Sequence, residues 1–361
     1  MHTQCELDIA RFLGVEAAII YAQAFNTISS VIPDFAKRGD IIVADKGVNF
    51  AIQKGLQISR STVRWFEHND MDDLERVLDE IRVEHARSGK PLTRRFIVAE
   101  GLSENYGDIV ELPKLVELKK KYKYRLILDE SWSFGVLGSH GRGITEYFGV
   151  EPTEVDMIIG SMASTLCGGG GFCAGSKEVI DHQVGSLEMW TSQQRITSLG
   201  YVFSAALPAI LAVTASESIG ILATKEGEEQ ISLLLENAAT LRSILDKSEY
   251  IETTSDYHSP IIHYRLHEAT ISNFGLGNFA EQDRVLQEIV DEVYLPWIYL
   301  TQANDHGVLI VRSHRIARQE AFACQPDFRT CVSSGHTKKE IEKAATVIRT
   351  AIARVFSRRR V

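Results

Sequence analysis

The sequence has 361 residues, of which 44% are hydrophobic and 24% charged, so the chain can bury a sizeable core, in about two domains of ordinary size. Its formal net charge of −9 argues against a protein that tracks the phosphates of nucleic acids, which leaves small molecules or proteins as the expected partners. Five cysteines without a CxxC pair suit a reducing compartment, and no apolar stretch reaches the roughly 18 residues of a membrane span.

The amphipathic pattern of the first helix begins at Leu7, and no capping residue precedes it. We therefore expect that the chain begins inside a larger protein, with its N-terminus truncated.

Short apolar runs rich in β-branched residues alternate with segments of helical period along the first half of the chain. The runs cover residues 41–44, 96–99, 126–128 and 157–159. This alternation predicts a mostly parallel sheet with helices on both faces. The polar residues that follow the runs are Asp45, Glu100, Asp129 and Ser161. They should meet at the carboxyl edge of the sheet, where open α/β sheets bind ligands.

Helix signals mark two further segments. Pro113 and the lysines at 119–121 delimit a helix over residues 112–121. Residues 208–247 read as one long helix, and the apolar stretch 199–213 as buried core.

A smaller α+β domain is predicted at the C-terminal end. Strands are expected at residues 260–264 and 308–311, and Thr337 with Glu340 forms a capping box that opens the last helix. We place a large domain over residues 1–247 and the small domain over 248–361.

Two glycine-rich segments imitate phosphate-binding motifs. Residues 138–143 match a dinucleotide fingerprint but follow a polar turn, and residues 168–171 lack the GK[ST] that completes a P-loop, so both are interpreted as turns. The histidines show no metal-binding spacing, and no metal site is predicted.

Three blocks together resemble the α-oxoamine synthase family of fold-type-I pyridoxal-phosphate enzymes. Residues 129–146 are close to that family's DEAHSxGxxGxxGRGxxE, residues 100–108 to its EGxxSxxGD, and residues 331–337 to its CxSAxHT. The resemblance implies the aspartate aminotransferase-like fold of pyridoxal-phosphate-dependent transferases. It also implies a reaction that joins an amino acid to an acyl-CoA with loss of carbon dioxide.

The resemblance fails where that family holds its cofactor. Ser164 stands in place of the Schiff-base lysine, Asn49 in place of the ring-stacking histidine, and Trp132 in place of the histidine near the phenolic oxygen. Asp327 replaces the arginine that holds the substrate carboxylate, whereas Asp129 matches the carboxylate that faces the pyridine nitrogen. Without the lysine there is no amine to exchange with the substrate, so we predict that the chain alone is inactive.

Alternatives remain open for individual residues. Asp129 is either a relic bonded within the sheet edge or a weak cofactor contact. Ser204 lies where related dimers direct a hydroxyl towards the neighbour's phosphate, and its alternative role is a helix cap before Pro208. We expect Asn49 and Trp132 to serve in packing or at an interface and not in catalysis.

Local segments resemble the lysine-lacking subunits of eukaryotic serine palmitoyltransferases. The segments are residues 40–45, 51–57, 68–71 and 170–173. This resemblance implies a heterodimer whose lysine-bearing catalytic subunit holds pyridoxal 5'-phosphate. The complex would condense L-serine with palmitoyl-CoA to 3-oxosphinganine in sphingolipid biosynthesis, on the cytosolic face of the endoplasmic reticulum membrane.

Two other functions stay open on the sequence alone. The chain could be an active homodimeric enzyme that uses another lysine, such as Lys177. Alternatively it is a scaffold or regulatory subunit that contributes nothing to a site.

Overall fold

The computed structural model describes residues 1–89, 91, 93–184, 198, 200, 203–299, 307–313, 316, 318–322 and 324–359. The chain forms two compact units. The first comprises Met1–Glu104 and Ile109–Ile231, and the second Asn105–Asp108 and Ser232–Val361.

The first unit alternates helices and strands, as predicted. Its described helices are α1 His2–Leu13, α2 Ala24–Phe35, α3 Phe50–Ser59, α4 Met71–Ser88, α5 Leu112–Tyr122, α6 Ile144–Phe148, α7 Lys177–Val184, α8 Ala209–Leu222 and the start of α9 Lys225–Leu245. Its strands are β1 Ala17–Tyr21, β2 Ile41–Asp45, β3 Thr62–Phe66, β4 Arg95–Glu100, β5 Arg125–Asp129, β6 Met157–Ser161 and β7 Gly171–Gly175.

The seven strands form one sheet in the order β1-β7-β6-β5-β4-β2-β3. The neighbours from β3 to β6 pair in parallel, whereas β7 runs antiparallel to both β6 and β1. The four predicted strands therefore lie side by side, and the mostly parallel sheet is confirmed.

Helices cover both faces of this sheet. Ile42 and Val98 belong to a buried cluster with residues of α2 and α3. Val43 and Ile97, which point to the other face by strand alternation, are also buried, and α4 and α5 pack beside the strands. Burial on both faces explains why these strands read as continuous apolar runs.

The long helix predicted over residues 208–247 is wrong, because the structure has two helices there. The Thr224 hydroxyl bonds the Ile221 carbonyl at 2.7 Å and ends α8. Glu226 and Glu228 then lie in the first turn of α9, where acidic side chains are favourable at a helix N-terminus.

The apolar stretch 199–213 is not the buried core that the sequence predicts. Leu207 and Ala212 are buried, but the Phe203 and Ile210 side chains are 81% and 70% exposed. Leu199, Tyr201 and Val202 lie outside the described residues.

The second unit is the predicted α+β domain. Its strands are β8 Ile251–Thr253, β9 Ile261–Leu266, β10 Val311–Arg312 and β11 Phe328–Cys331, and its helices are the end of α9, α10 Glu268–Asn273, α11 Phe279–Tyr299 and α12 Lys338–Arg359. The strands form an antiparallel sheet in the order β10-β11-β9-β8. Tyr264 and Phe328 stack on this sheet and share one core with Ile348 and Phe356 of α12.

Two predictions for this unit have different outcomes. The capping box is confirmed, since Thr337 N donates to Glu340 Oε2 at 2.7 Å and Glu340 N donates to Thr337 Oγ1 at 3.3 Å. The strand predicted at 308–311 is correct only at Val311, because the Ile310 carbonyl accepts from the Tyr294 hydroxyl at 2.8 Å instead of joining the ladder.

The division between the units lies inside α9, between Ile231 and Ser232, whereas residue 247 lies just beyond the end of that helix. The C-terminal part of α9 contributes Ala238, Leu241 and Leu245 to the core of the second unit. This is why the second unit begins at Ser232 and not at the predicted residue 248.

A short loop of the first half of the chain also belongs to the second unit. The Ser255 hydroxyl donates to the Tyr106 carbonyl at 2.8 Å, and Asp256 N donates to the Gly107 carbonyl at 2.9 Å. Gly107 has a φ of 71°, and a β-carbon there would overlap the Ile261 carbonyl. Only glycine therefore allows this close approach.

Among the described helices, none combines the length and the apolar character that crossing a membrane requires.

Candidate functional site

Polar side chains gather at the carboxyl edge of the large sheet. Asp45, Glu100, Asp129 and Ser161 end the adjacent strands β2, β4, β5 and β6. Glu100 and Asp129 are direct neighbours in the ladder between β4 and β5. The predicted clustering at this edge is confirmed.

Asn49 bridges two of these carboxylates. It caps α3 through Oδ1, which accepts from Ile52 N at 3.0 Å. This bond fixes the amide so that Nδ2 donates to Glu100 Oε1 at 2.9 Å and to Asp129 Oδ2 at 3.1 Å. Asn49 N also donates to Glu100 Oε2 at 3.0 Å. A neutral side chain therefore supplies donors to both acids.

The environment shifts the acids towards their protonated forms. Glu100, Asp129 and Asn49 are all buried. Burial, and then the charge of neighbouring Asp129, raises the pKa of Glu100 well above its usual value. Burial also raises the pKa of Asp129. At this edge, ionising both acids is unfavourable.

Both oxygens of Asp129 already accept hydrogen bonds from the chain itself. Oδ1 accepts from Ser131 N at 2.9 Å, and Oδ2 accepts from Asn49. In the resembling family this carboxylate faces the pyridine nitrogen, and position 49 carries the ring-stacking group. Here the two residues bond each other.

Ser164 lies exposed in the turn between β6 and β7, at the same carboxyl edge. A serine hydroxyl cannot replace the amine that holds pyridoxal phosphate.

Lys177 does not replace the missing lysine. Strand β7 runs antiparallel to β6, with Ser161 opposite Gly171 and Met157 opposite Gly175. Lys177 follows Gly175 and therefore lies at the amino edge, about 13 Å along the strand from Asp129's edge. Within one chain, Lys177 therefore does not lie beside Asp129.

Lys46 does follow a strand at the carboxyl edge, but its ammonium forms an ion pair with Glu67. Lys46 follows β2, which pairs with β3 on one side and with β4 on the other. Strand β4 therefore separates β2 from β5, the strand that ends in Asp129. The described residues therefore do not fit a lysine-bound pyridoxal phosphate in this chain.

Two other predicted residues, Trp132 and Ser204, are neither fully buried nor fully exposed. Trp132 is half-buried in the turn after β5. Ser204 is half-buried and donates to the carbonyl of Ala205 at 3.2 Å. It is not a helix cap, because α8 is preceded by Pro208 and has no side-chain cap.

Asp327 belongs to the second unit and is completely enclosed there. Its Oδ1 lies 3.2 Å from Nδ1 of His263, which is equally buried. An acid at this position therefore pairs with a histidine of the neighbouring strand β9. It replaces the arginine that the family directs to a substrate carboxylate.

Glu130, which the sequence analysis did not single out, explains the glycines of the loop that follows. Its buried carboxylate accepts from the Ser133 hydroxyl and from Ile144 N, 2.9 Å from Oε2. Gly143 has a φ of 92°, and a β-carbon there would overlap this carboxylate. The GRG motif therefore shapes a loop around Glu130, and the prediction of a loop over 138–143 is confirmed.

His68 and Asn69, which carry part of the family resemblance, have structural contacts with the end of β2. His68 Nδ1 lies 2.8 Å from Asp45 Oδ1, and Asn69 N donates to Asp45 Oδ2 at 2.9 Å. Asp70 then caps α4 by accepting from the amides of Asp72 and Asp73. These residues join the strand edge to the next helix.

The comparisons with known proteins agree with this architecture. The model of the family described as Aminotransferase class I and II matches residues 1–348. The chain is 38% identical over 353 residues to serine palmitoyltransferase 1 of Dictyostelium discoideum, which covers 97% of this chain and 68% of that protein. It is 39% identical over 356 residues to long chain base biosynthesis protein 1b of Oryza sativa subsp. japonica, with 99% and 68% covered. The chain thus spans about two thirds of the length of these relatives.

A solved structure shows the same fold. A serine palmitoyltransferase with the pyridoxal-phosphate internal aldimine superposes with a TM-score of 0.78 at 22% identity. The match covers 98% of this chain and 77% of that one. The expected fold of pyridoxal-phosphate-dependent transferases is confirmed.

The buried Glu130 makes stability depend on pH. Burial raises its pKa from 4.5 to about 7, so the folded state binds this proton more tightly than the unfolded state. Its stabilisation is complete below the unfolded pKa and is lost as the pH rises through about 7. In Glu130→Gln, which keeps a neutral group of the same shape, the free energy of unfolding should fall less steeply over this range. The difference should be at most about 3 kcal/mol.

Urea unfolding followed by circular dichroism, from about pH 5 to about pH 8, measures this slope. The control is Glu342→Gln, an exposed position on α12, which should keep the wild-type slope. Parallel slopes for wild type and Glu130→Gln would contradict the prediction.

Proposed function

The chain belongs to the class I and II aminotransferase family, and from this premise we propose that it is the lysine-lacking, non-catalytic subunit of a serine palmitoyltransferase. The complex condenses L-serine with palmitoyl-CoA to 3-oxosphinganine, releasing CoA and carbon dioxide, at the first step of long-chain base synthesis. The observation that carries the proposal is that Ser164 stands in place of the lysine, while Asn49 already donates a hydrogen bond to Asp129.

The names of the relatives support an assembly of two kinds of subunit. Both relatives carry the number 1 in their names, one as serine palmitoyltransferase 1 and the other as a long chain base biosynthesis protein. The partner in this proposal is a homologous subunit that bears the lysine. That partner holds pyridoxal 5'-phosphate, whose ring supplies the electron sink for the condensation.

An exposed apolar segment supports a contact with this partner. Phe203 and Ile210, at 81% and 70% exposure, flank Ser204. Both side chains belong to one exposed stretch of chain, and exposed apolar surface is typical of protein interfaces. In the heterodimer this segment lies against the lysine-bearing subunit, and the Ser204 hydroxyl reaches the phosphate of the partner's cofactor.

The location of the complex is proposed by resemblance alone. We assign it to the cytosolic face of the endoplasmic reticulum membrane. Fractionation of cells that express both subunits, with staining for an endoplasmic reticulum marker, tests this; a complex recovered only with another organelle would contradict it.

Co-expression tests the function directly. The chain purified alone should bind no pyridoxal phosphate covalently and should form no ketone product from serine and palmitoyl-CoA. With a lysine-bearing homologue from the same organism, serine-dependent release of CoA should appear, and the partner alone should give little. Mass spectrometry of 3-oxosphinganine measures the product.

The outcomes separate the competing functions. Lysine-bound cofactor absorbance in the chain alone, lost in Lys177→Ala, would overturn the proposal in favour of an active homodimer. If the chain and its partner form a stable pair whose activity equals that of the partner alone, the remaining function for this chain is that of a scaffold.

Restoring the lysine should not restore activity. Ser164→Lys expressed without a partner should remain inactive, because Asn49 still engages Asp129 and Asp327 still replaces the substrate-binding arginine. Serine-dependent product above the wild-type background would contradict this. The control Ser164→Ala should form the same amount of active complex with the partner as wild type does.

The apolar segment should be needed for assembly. Ile210→Glu places a charge in the proposed interface and should weaken association with the co-expressed partner by at least about tenfold, since a buried unpaired charge is costly. The matched control is Leu309→Glu, at a side chain with 72% exposure in the second unit. Equal recovery of the partner with both variants in affinity co-purification would exclude this segment as the interface.

A further inference from the structure

A cavity of about 660 Å³ lies at the amino edge of the large sheet. Arg95 and Arg125, the first residues of β4 and β5, line it, and so does Ser176, which follows β7. The cavity therefore lies at the opposite end of the strands from Asp129 and Ser164. It is separate from the site described above.

Cations dominate the lining of this cavity. Arg94, Arg95, Lys123 and Arg125 line it together with two carboxylates, those of Asp156 and Glu178. Lys119 neutralises Asp156, because its ammonium lies 2.6 Å from Asp156 Oδ2. In the part of the chain that the structure describes, none of the four lining cations forms an ion pair. A local excess of positive charge stands out in a chain whose net charge is −9.

Arg95 has buried donors without an acceptor. Its Nε and Nη2 are enclosed and make no hydrogen bond within the described structure. Its guanidinium lies 5.8 Å from the centre of the Tyr124 ring, and the Tyr124 hydroxyl is likewise buried and unbonded. Leaving such groups unbonded costs about 1–3 kcal/mol each, so a movement of the Arg95 side chain that brings its enclosed nitrogens to an acceptor in the cavity would be favourable.

Two side chains that line the cavity beside Arg95 are held in place. Arg94 Nη1 donates to the Phe35 carbonyl at 3.0 Å, and Asp156 Oδ2 accepts from Leu126 N at 2.8 Å as well as from Lys119. Arg95 is fixed at its backbone by the ladder between β2 and β4. Arg94 and Asp156 are therefore positioned before any ligand arrives, which lowers the entropy cost of binding.

We propose that this cavity binds a ligand through a phosphate group. Guanidinium groups match the geometry of phosphate oxygens and form paired, charge-assisted hydrogen bonds with them. Arg95 and Arg125 supply these donors, and Lys123 adds a point charge. The cavity has room for a larger molecule that carries the phosphate, either a soluble phosphorylated compound or a phospholipid headgroup. The proposal does not rest on the assignment to serine palmitoyltransferase.

Inorganic phosphate is the first probe. Thermal unfolding of the full-length chain is measured in phosphate and in chloride at matched ionic strength, and calorimetric titration gives the affinity. Phosphate should raise the unfolding midpoint of wild type, because a ligand that binds only the folded state stabilises it. Arg95→Gln should lose this effect and bind phosphate at least about tenfold more weakly.

Arg125→Gln, at an exposed position, tests the same site without altering the half-buried Arg95, and it should also weaken binding. Arg349→Gln removes an equally exposed charge from α12 of the second unit and should behave like wild type. Equal effects of phosphate and chloride on wild type, or an unchanged phosphate effect in both Arg95→Gln and Arg125→Gln, would overturn the proposal.

Vesicles distinguish the two sources of the phosphate. Co-flotation with phosphatidylcholine vesicles that contain phosphatidic acid, but not with pure phosphatidylcholine, would assign a lipid headgroup. Binding of free phosphate without flotation would assign a soluble compound. Either assignment requires that Arg95→Gln loses the binding, and flotation that persists in Arg95→Gln and Arg125→Gln would contradict a site in this cavity.

Discussion

Three carboxylates are buried at the ends of two neighbouring strands, and the need to satisfy them governs the edge of the large sheet. Glu100, Asp129 and Glu130 cannot remain charged in such a place unless hydrogen-bond donors reach them. Asn49 supplies the first two, and Ser133 and Ile144 N supply the third. For Asp129, the chain thus supplies through Asn49 a hydrogen bond at the carboxylate that the resemblance directs to a cofactor's pyridine nitrogen.

Local signals in the sequence predict the strands, their polar ends, the α5 helix and the capping box of α12. They fail where spatial order decides the outcome. The bridge from Asn49 to Glu100 and Asp129 depends on β4 lying between β2 and β5, an order that no local pattern contains. The reversal of β7, which moves Lys177 to the far edge, is equally invisible in a short apolar run. His263 gave no signal, because its partner Asp327 lies on a distant segment.

The loop motifs that match the family have structural contacts in this chain, whereas four positions that contact the cofactor or substrate in that family carry other residues and Asp129 is retained. Gly143 keeps its place because a side chain would collide with Glu130, and His68 and Asn69 because they bond Asp45. Positions 49, 132, 164 and 327 have chemical roles in the resembling family, and the residues that stand there in this chain cannot perform those roles. In this chain, a matching sequence motif therefore indicates the same fold. Activity has to be judged from the residues at the positions that would contact cofactor and substrate.

The loop Asn105–Asp108 makes the second unit discontinuous in sequence, so this unit needs a piece of the chain that comes from within the first unit. Because these residues belong to the second unit, the backbone passes between the units three times, after Glu104, after Asp108 and after Ile231. No single cut yields two complete pieces: a fragment that starts at Ser232 lacks the carbonyls of Tyr106 and Gly107, which accept from Ser255 and Asp256. During synthesis the loop is made long before its partners, so it waits for the last third of the chain before its hydrogen bonds can close.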